Sequence, residues 1–282
     1  MSAESIAVEV RRALVALART PRLLVACDYD GTLSPIVDDP DRAAPRQESV
    51  VALRLLAGLA DTTVAVISGR ALRDLATLSR LPGEVHLVGS HGSEFDAGFV
   101  HDMEPAAVRL RTRLHEELTG ITADCEGVGL EVKPASVAVH VRRAAPDVAE
   151  RVFAAVKAGP CTWAGVQVTE GKAVLELAVV QTDKGHALDV LRHQVGASAA
   201  VFFGDDVTDE KAFSRLTGPD VGIKVGGGET LAEHRVDTTE DVAKALALLV
   251  EERRAWLYGE QAVPIERHSM LSNGRTVALL TP

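Results

Sequence analysis

Two carboxylates stand directly after an apolar run near the start of the chain. Asp28 and Asp30 follow the run 23–27, and Gly31 comes next. Side chains alternate along an extended chain, so the two carboxylates share one side while Tyr29 points away, and glycine permits a sharp turn. One carboxylate can attack phosphorus, and the other can protonate the leaving oxygen and then deprotonate water. Alternatively, Asp-Gly only turns the chain after a core strand.

A second group of carboxylates follows another apolar run, at 199–203. Four acidic residues fall within six positions there, and carboxylates this close repel one another unless a cation lies among them. Carboxylate oxygens are the hard ligands that Mg²⁺ prefers. The pattern therefore predicts a magnesium ion beside Asp205, Asp206, Asp209 and Glu210.

Two further segments offer donors for phosphate oxygens. Ser68, Gly69 and Arg70 follow the apolar run 64–67, and Lys184 opens a helical stretch. The Ser68 hydroxyl and nearby amides can donate to phosphate, and the Lys184 ammonium can neutralise it. Taken singly, Ser-Gly is equally typical of a helix start, and a lysine or a loop arginine is typically a solvated surface group.

The order of these segments resembles that of the haloacid dehalogenase-like phosphohydrolases. The shared order is Asp-x-Asp-Gly-Thr, Ser-Gly-Arg, a lysine and Gly-Asp-Asp-x-x-Asp, each at a strand end. Within that superfamily, the segments 67–70, 89–94 and 204–210 are similar to those of the trehalose-6-phosphate phosphatases. The resemblance covers roughly residues 20–250 and implies release of trehalose and phosphate through an aspartyl-phosphate.

The same resemblance implies a role for each residue. Asp28 would be the nucleophile and Asp30 the general acid and base. The Mg²⁺ ligands would be Asp28, the Asp30 carbonyl and Asp205, with Asp206 and Asp209 supporting the metal or its waters. Ser68 and Lys184 would bind the phosphate; beside them, the local chemistry alone makes Gly69 a further candidate and Arg70 a secondary one.

Strand patterns that alternate with helical ones predict an α/β fold with a parallel sheet, and the resemblance implies a Rossmann-like core over 1–103 and 182–257. Ligands of such sheets bind at the carboxyl ends of the strands, where the polar segments lie. The predicted strands are 23–27, 63–67, 85–89, 199–203 and 221–225. The predicted helices are 46–60, 71–79, 185–195, 239–257 and an amino-terminal one through Ile6, Val10, Leu14 and Leu17.

Residues 104–181 break the alternation and predict a small α+β insert. The resembling family carries a cap domain here, which closes over the active site and holds the sugar, and closure would exclude water from the reacting phosphate. The predicted elements are a helix at 105–119, strands within 128–142, a helix at 146–158 and strands at 161–169 and 172–180.

One face of the insert is predicted to be polar. Glu131 and Lys133 are two residues apart in a strand and share a face, and Glu176 lies between apolar neighbours. A sugar needs such donors and acceptors, but any antiparallel sheet with one solvated face shows this pattern. The resemblance matches the three residues to sugar-contacting positions. It also matches a His-x-Arg strand, His140 and Arg142.

Two further positions qualify the resemblance. The family commonly has Arg-Pro after the glutamate that corresponds to Glu176, whereas this chain has Leu177 and Ala178. The connection back to Lys184 is therefore expected to differ. His91 is interpreted as a hydrogen-bonded structural histidine.

Composition narrows the class of protein. Three cysteines are too few, and odd in number, for a disulfide framework, and Cys27 lies in a predicted core strand, which favours a reducing cytoplasm. No run is long and apolar enough to cross a membrane. A net charge of −10, without a basic stripe carrying aromatics, argues against nucleic acid as a partner. The expected partner is a small sugar phosphate.

The segment 258–282 follows an apparently complete core. Its parts 263–268 and 276–280 resemble the opening of a trehalase-like glycoside hydrolase domain, which would make the chain the front part of a fusion of trehalose-pathway enzymes, or a remnant of one. The other interpretation is an ordinary tail helix and edge strand.

Three functions remain open. The first is a Mg²⁺-dependent trehalose-6-phosphate phosphatase, and the second is a phosphatase for another sugar phosphate, such as sucrose or glucosylglycerol phosphate. The third is a catalytically silent module that binds a sugar phosphate or scaffolds a pathway partner. The third is disfavoured because the reactive residues Asp28, Asp30, Lys184 and Asp205 are all present.

Overall fold

The structure, a computed structural model, describes residues 6–96, 103–133, 135–171, 173–180 and 182–259. It contains a seven-stranded sheet and a separate four-stranded sheet. This confirms the predicted fold class, an α/β protein with a mostly parallel sheet and a second α+β part. The division at 104–181 into a catalytic core and a cap stays a prediction. No helix among the described residues has both the length and the apolar character needed to span a bilayer.

The large sheet places β1 (Leu23–Cys27) at its centre. Its neighbours β2 (Thr62–Ile67) and β9 (Ala199–Gly204) both run parallel to it. All five residues of β1 are buried, as expected for a strand that helices cover on both faces. Because the three strands are parallel, the residues after each of them meet at one edge. The outer strands are β3 (Val85–Gly89), β4 (Glu94–Phe95), β10 (Val221–Val225) and β11 (His234–Val236).

Helices cover the two faces of this sheet unequally. One face packs against the larger apolar cluster, which includes the predicted amino-terminal helix through Val10, Leu14 and Leu17. The opposite face packs against a smaller cluster that includes Leu188 and Phe213. The helices of the first face are α1 (Val8–Leu17), α2 (Gln47–Ala57), α3 (Leu72–Ser79) and α8 (Thr239–Tyr258), and those of the second are α6 (Lys184–Val195) and α7 (Glu210–Phe213).

The four-stranded sheet is antiparallel and packs against α4 (Pro105–Thr122) and α5 (Pro146–Ala158). Its helix-facing side is the predicted apolar one: Val137, Val139 and Leu177 are buried there. The strand order is β5–β6–β8–β7. The strands are β5 (Gly129–Val132), β6 (Ser136–His140), β7 (Gln167–Gly171) and β8 (Val174–Ala178).

Two predicted strands of this sheet have the wrong bounds. The strand predicted at 161–169 begins only at Gln167, because Pro160–Thr162 forms a 3-10 turn in which Pro160 fixes the backbone just after α5 ends. The strands predicted within 128–142 are β5 and β6, but the predicted His-x-Arg strand stops short: β6 ends at His140, so Arg142 lies beyond it in a turn. The predicted tail elements after residue 259 lie outside the described residues.

Arg253 fastens α8 to the start of the large sheet. Its side chain is fully buried, yet its partners are oxygens of uncharged groups rather than a carboxylate. The guanidinium also lies 4.8 Å from the ring centre of Trp256. Buried donors are costly when they lack partners, so this arrangement fixes the helix in one position. The acceptors are the carbonyls of Ala18, Thr20, Pro21 and Asp61 and the hydroxyl of Thr62.

We expect Arg253→Met to lower the free energy of unfolding by about 3 kcal/mol, because it leaves one buried and three partly buried carbonyls without their donor. Urea denaturation measures the change. The matched control is Glu251→Gln, an exposed position on the same helix. Equal stability of the two variants would show that the Arg253 contacts contribute nothing.

Candidate active site

The two carboxylates after β1 both line one cavity, hereafter the strand-end cavity, of about 520 Å³. The amide of Asp28 donates to the Phe203 carbonyl at 2.8 Å, which ties the ends of β1 and β9 together. Tyr29 points away as predicted, with its hydroxyl donating to the Ala43 carbonyl at 3.0 Å. The cavity is lined by Asp28, Asp30, Ile36, Val37, Pro40, Ser68, Gly69, Arg70, His91, Lys184, Asp205, Asp206 and Thr208.

Lys184 lies between two carboxylates at the base of this cavity. Its ammonium donates to Asp28 Oδ1 at 2.7 Å and to Asp209 Oδ1 at 2.8 Å. The lysine side chain is only 2% exposed, so water contributes little to its solvation. Lys184 is the first residue of α6, and the preceding Asp183 caps that helix by accepting from the amide of His186. The capped start of α6 therefore fixes the position from which the Lys184 side chain reaches the base of the cavity.

Asp209 holds the loop after β9 as well as the lysine. Its second oxygen accepts from the amides of Asp205 and Asp206 at 2.9 and 3.0 Å. A Cβ at Gly204 would overlap the Asp209 carboxylate, so only glycine fits there. The ammonium of Lys224 donates to the Asp205 carbonyl. Both oxygens of Asp209 are thus engaged, whereas the Asp205 carboxylate stays directed toward the cavity.

Burial raises the pKa of three carboxyl groups in this part of the site. The pKa of Asp28 rises to about 7, that of Asp205 to about 6 and that of Asp209 to about 7, with burial as the main cause each time. Burial alone would lower the pKa of Lys184, but the charges of Asp28 and Asp209 outweigh it and raise that pKa. When Asp28, Asp205, Asp209 and Lys184 are all ionised, these four groups together carry two net negative charges. That charge favours binding of a divalent cation.

The carboxylates fit such a cation. Ligand oxygens of Asp28, Asp205 and Asp209 lie within 4.8 Å of one another. Asp205 Oδ1 is buried and has no hydrogen-bond partner among the described residues. A Cβ at Gly31, where φ is +81°, would collide with the Asp205 carboxylate, so glycine lets the two strand ends approach. Because Asp209 is already engaged, Asp28 and Asp205 are better placed as direct ligands.

Ser68 and Gly69, two of the predicted phosphate-binding residues, line the strand-end cavity. Ser68 is buried, and its amide donates to the Val88 carbonyl, which continues the pairing of β2 with β3. Its hydroxyl oxygen accepts from the amide of Arg70 at 3.1 Å, so its proton remains available to a ligand in the cavity.

Arg70 takes a position that the sequence did not predict. Its guanidinium donates to both oxygens of Asp30, with two distances of 2.7 Å, and lies 5.7 Å from the ring centre of Tyr29. The fork geometry of arginine matches a carboxylate in this two-point way. The hydrogen bond to Asp30 is the main cause that raises the pKa of Arg70. The predicted phosphate binder therefore pairs with the predicted acid and base.

The predicted sugar-binding residues lie together on the polar face of the small sheet. In the strand register, Glu131 pairs with Ala138, which pairs in turn with Glu176. The Lys133 ammonium lies 3.2 Å from both carboxylate oxygens of Glu176, and the Ser136 hydroxyl donates to the same group at 2.7 Å. None of these residues lines the strand-end cavity.

His140 and Arg142 separate in the structure. Glu131 lies 2.9 Å from Nε2 of His140, on the polar face. Arg142 is exposed in the turn after β6. The His-x-Arg resemblance therefore brings only the histidine to the predicted sugar-binding residues.

Several residues of the site were missed from the sequence. Lys224 is a single charge inside the apolar strand β10, and that isolation was a usable signal. Ser136 lies two positions before Ala138 and so shares the polar face, which the alternation of β6 could have indicated. The apolar cavity residues Ile36 and Val37 lie in a loop whose sequence carries no comparable pattern.

Comparisons with protein families agree with the geometry. Residues 26–245 match the family model described as Trehalose-phosphatase. Residues 251–282 match the one described as Trehalase-like, N-terminal. The second match overlaps the end of α8, and most of it lies outside the described residues.

Named relatives point the same way. The chain is 39% identical over 236 residues to a trehalose-phosphate phosphatase of Mycobacterium marinum, covering 78% of this chain and 60% of that protein. It is 35% identical over 260 residues to an uncharacterized glycosyl hydrolase of Mycobacterium tuberculosis, covering 86% of this chain and 19% of that protein. The chain thus spans about three fifths of the length of the phosphatase relatives it matches.

A solved structure is also similar. The trehalose-6-phosphate phosphatase of Aspergillus fumigatus superimposes with a TM-score of 0.59 at 26% sequence identity, covering 86% of this chain and 97% of the other.

Proposed function

The chain belongs to the trehalose-phosphatase family, and on that premise we propose that it hydrolyses trehalose 6-phosphate to trehalose and phosphate. The observation that carries the proposal is the buried Lys184 bonded to Asp28 Oδ1 in a cavity that also holds Asp30 and Asp205. A reactive carboxylate, a proton carrier and positive charge are what phosphoryl transfer requires at one place.

In the first step an oxygen of Asp28 attacks phosphorus, and the bond from phosphorus to the sugar oxygen breaks. Asp30 gives its proton to that sugar oxygen, so that neutral trehalose leaves and an aspartyl-phosphate remains. The Lys184 ammonium and the Ser68 hydroxyl offset the charge on the phosphoryl oxygens. Lys184 also orients Asp28, because the ammonium donates a hydrogen bond to one oxygen of that carboxylate.

In the second step Asp30 takes a proton from water, whose oxygen attacks phosphorus and releases Asp28. For both steps Asp30 must face the reacting oxygens, yet both of its own oxygens are bonded to Arg70. Arg70 and Asp30 therefore separate, at least partly, when substrate enters. The phosphate is a competing anion for the guanidinium, which reconciles this geometry with the proposed phosphate-binding role of Arg70.

Mg²⁺ is the proposed metal, because the available ligands are carboxylate oxygens near a phosphate site. Asp28 and Asp205 would hold it together with the Asp30 carbonyl, while Asp206 and Asp209 support the loop and the bound waters. When bound, such a cation neutralises charge on the transferring phosphoryl group.

The unit 104–181 is proposed to be the cap that selects the sugar. Its polar face offers two carboxylates and an ammonium, Glu131, Glu176 and Lys133, which can bind several hydroxyls at once. Leu177, where this chain departs from the usual Arg-Pro, is fully buried on the opposite face. Ala178, the second residue of the departure, lies two positions after Glu176 on the polar face, where it pairs with Ser136.

The segment 258–282 is proposed to begin a glycoside hydrolase domain. The family match over 251–282 and the likeness to a mycobacterial glycosyl hydrolase support this proposal. Arg253 lies inside the matched stretch 251–282, yet its hydrogen bonds to Ala18 and Asp61 hold this part of α8 against the large sheet.

We expect Asp28→Asn to lower the turnover of trehalose 6-phosphate by about a thousandfold or more, because the amide cannot attack phosphorus. Phosphate release and thermal unfolding, measured on the same preparation, separate lost chemistry from lost fold. Asp74→Asn on α3 is the matched control. Turnover that survives in a folded Asp28→Asn protein would refute the nucleophile.

Glu131→Ala is expected to lower kcat/KM for trehalose 6-phosphate roughly tenfold, the value of one or two lost hydrogen bonds, and to spare p-nitrophenyl phosphate. The small ester has no sugar for the polar face to bind. Glu170→Ala, an exposed position of the same sheet, serves as the control. Equal losses of kcat/KM on the two esters would show that Glu131 does not bind the sugar.

A further inference from the structure

His91 lines the strand-end cavity although it was interpreted as a structural residue. It lies in the 3-10 turn Ser90–Gly92, directly after β3. The amide of His91 donates to the Ser68 carbonyl at 2.9 Å, and that of Ser90 donates to the Arg70 carbonyl at 2.7 Å. The turn is therefore attached to the phosphate-binding segment at two points.

The backbone of this turn is held in an unfavourable conformation. Ser90 has φ of 47° and His91 has φ of 54°, both in the left-handed region that residues other than glycine seldom adopt. Two such residues in sequence cost free energy, and strain of this kind concentrates where a side chain must point in one direction. Here that direction is into the cavity.

The His91 imidazole occupies the space where residue 69 would carry a side chain if it were not glycine. A Cβ at Gly69 would lie 2.5 Å from Cε1 and 2.6 Å from Nε2 of His91, so the ring lies against bare backbone. The ring nitrogens have no hydrogen-bond partner among the described residues. A structural histidine normally satisfies at least one ring nitrogen within the protein. The His91 ring thus leaves both nitrogens for a ligand.

Charged groups of both sheets act on the His91 ring. Burial is the main cause that lowers the pKa of His91, and the Lys184 charge lowers it further. Lys133 and Glu176 of the small sheet act on the same group. A neutral imidazole has one donor and one acceptor nitrogen, which suits a sugar hydroxyl, itself both donor and acceptor.

We propose that His91 is a specificity-determining residue that hydrogen-bonds a sugar hydroxyl where the reacting phosphate joins the sugar. The inference rests on the proposed function, because it assigns the sugar-phosphate junction of the same site to this ring. His91 would then bind the part of the substrate that lies between the phosphate-binding residues of the large sheet and the polar face of the small sheet.

His91→Gly tests this, since glycine removes the ring and adopts the left-handed backbone without strain. We expect kcat/KM for trehalose 6-phosphate to fall roughly tenfold and kcat/KM for p-nitrophenyl phosphate to change less than about threefold. His91→Asn should recover part of the loss, because its amide can hydrogen-bond and asparagine tolerates this conformation. His86→Ala, on β3, is the control.

Equal losses on the two esters, or no loss on the sugar phosphate, would overturn the role of His91. Failure of the proposed function gives a different result: wild-type protein would hydrolyse p-nitrophenyl phosphate and not trehalose 6-phosphate. The comparison is then made with the sugar phosphate that the wild type hydrolyses best, and the same two outcomes decide it.

Discussion

A buried ammonium between two carboxylates is the constraint on which the rest of the site depends. Asp28, Asp205 and Asp209 are packed closely at the end of the central strands, and the Lys184 ammonium offsets their mutual repulsion and part of the cost of their lost hydration. Lys184 comes from a helix that begins only after the small sheet has been completed. The chain must therefore leave the large sheet after β4 and return to the same edge for the site to form.

This path of the chain accounts for the two roles that we propose, with chemistry at the parallel sheet and sugar recognition at the antiparallel sheet. The parallel sheet brings reactive groups from distant segments to one edge, where its strands end together. The antiparallel sheet contributes a polar face that is already rich in hydrogen bonds, such as the contacts of Glu176 with Lys133 and Ser136. A sugar that binds there must exchange some of these bonds for its own, so the face can discriminate among sugars.

The sequence was sufficient for the strands that carry the site. β1, β3 and β10 have the predicted bounds, because a buried parallel strand is a continuous apolar run ending at polar residues. It was insufficient for contacts that depend on side-chain direction. The Arg70–Asp30 pair joins residues 40 positions apart, and no periodicity encodes it. The left-handed conformation of Ser90 and His91 was missed because neither residue is a glycine. The strand predicted at 161–169 began late because Pro160 starts a turn.

Phosphate release from trehalose 6-phosphate, compared with glucose 6-phosphate and sucrose 6-phosphate, tests the central claim most directly. Each ester is measured with Mg²⁺ and with a chelator. The proposed chemistry predicts release that requires the metal, and the proposed cap predicts a strong preference for trehalose 6-phosphate. A preference for another ester would contradict the sugar assignment. Equal release in the chelator would contradict the metal, and no release from any ester would favour a silent binding module.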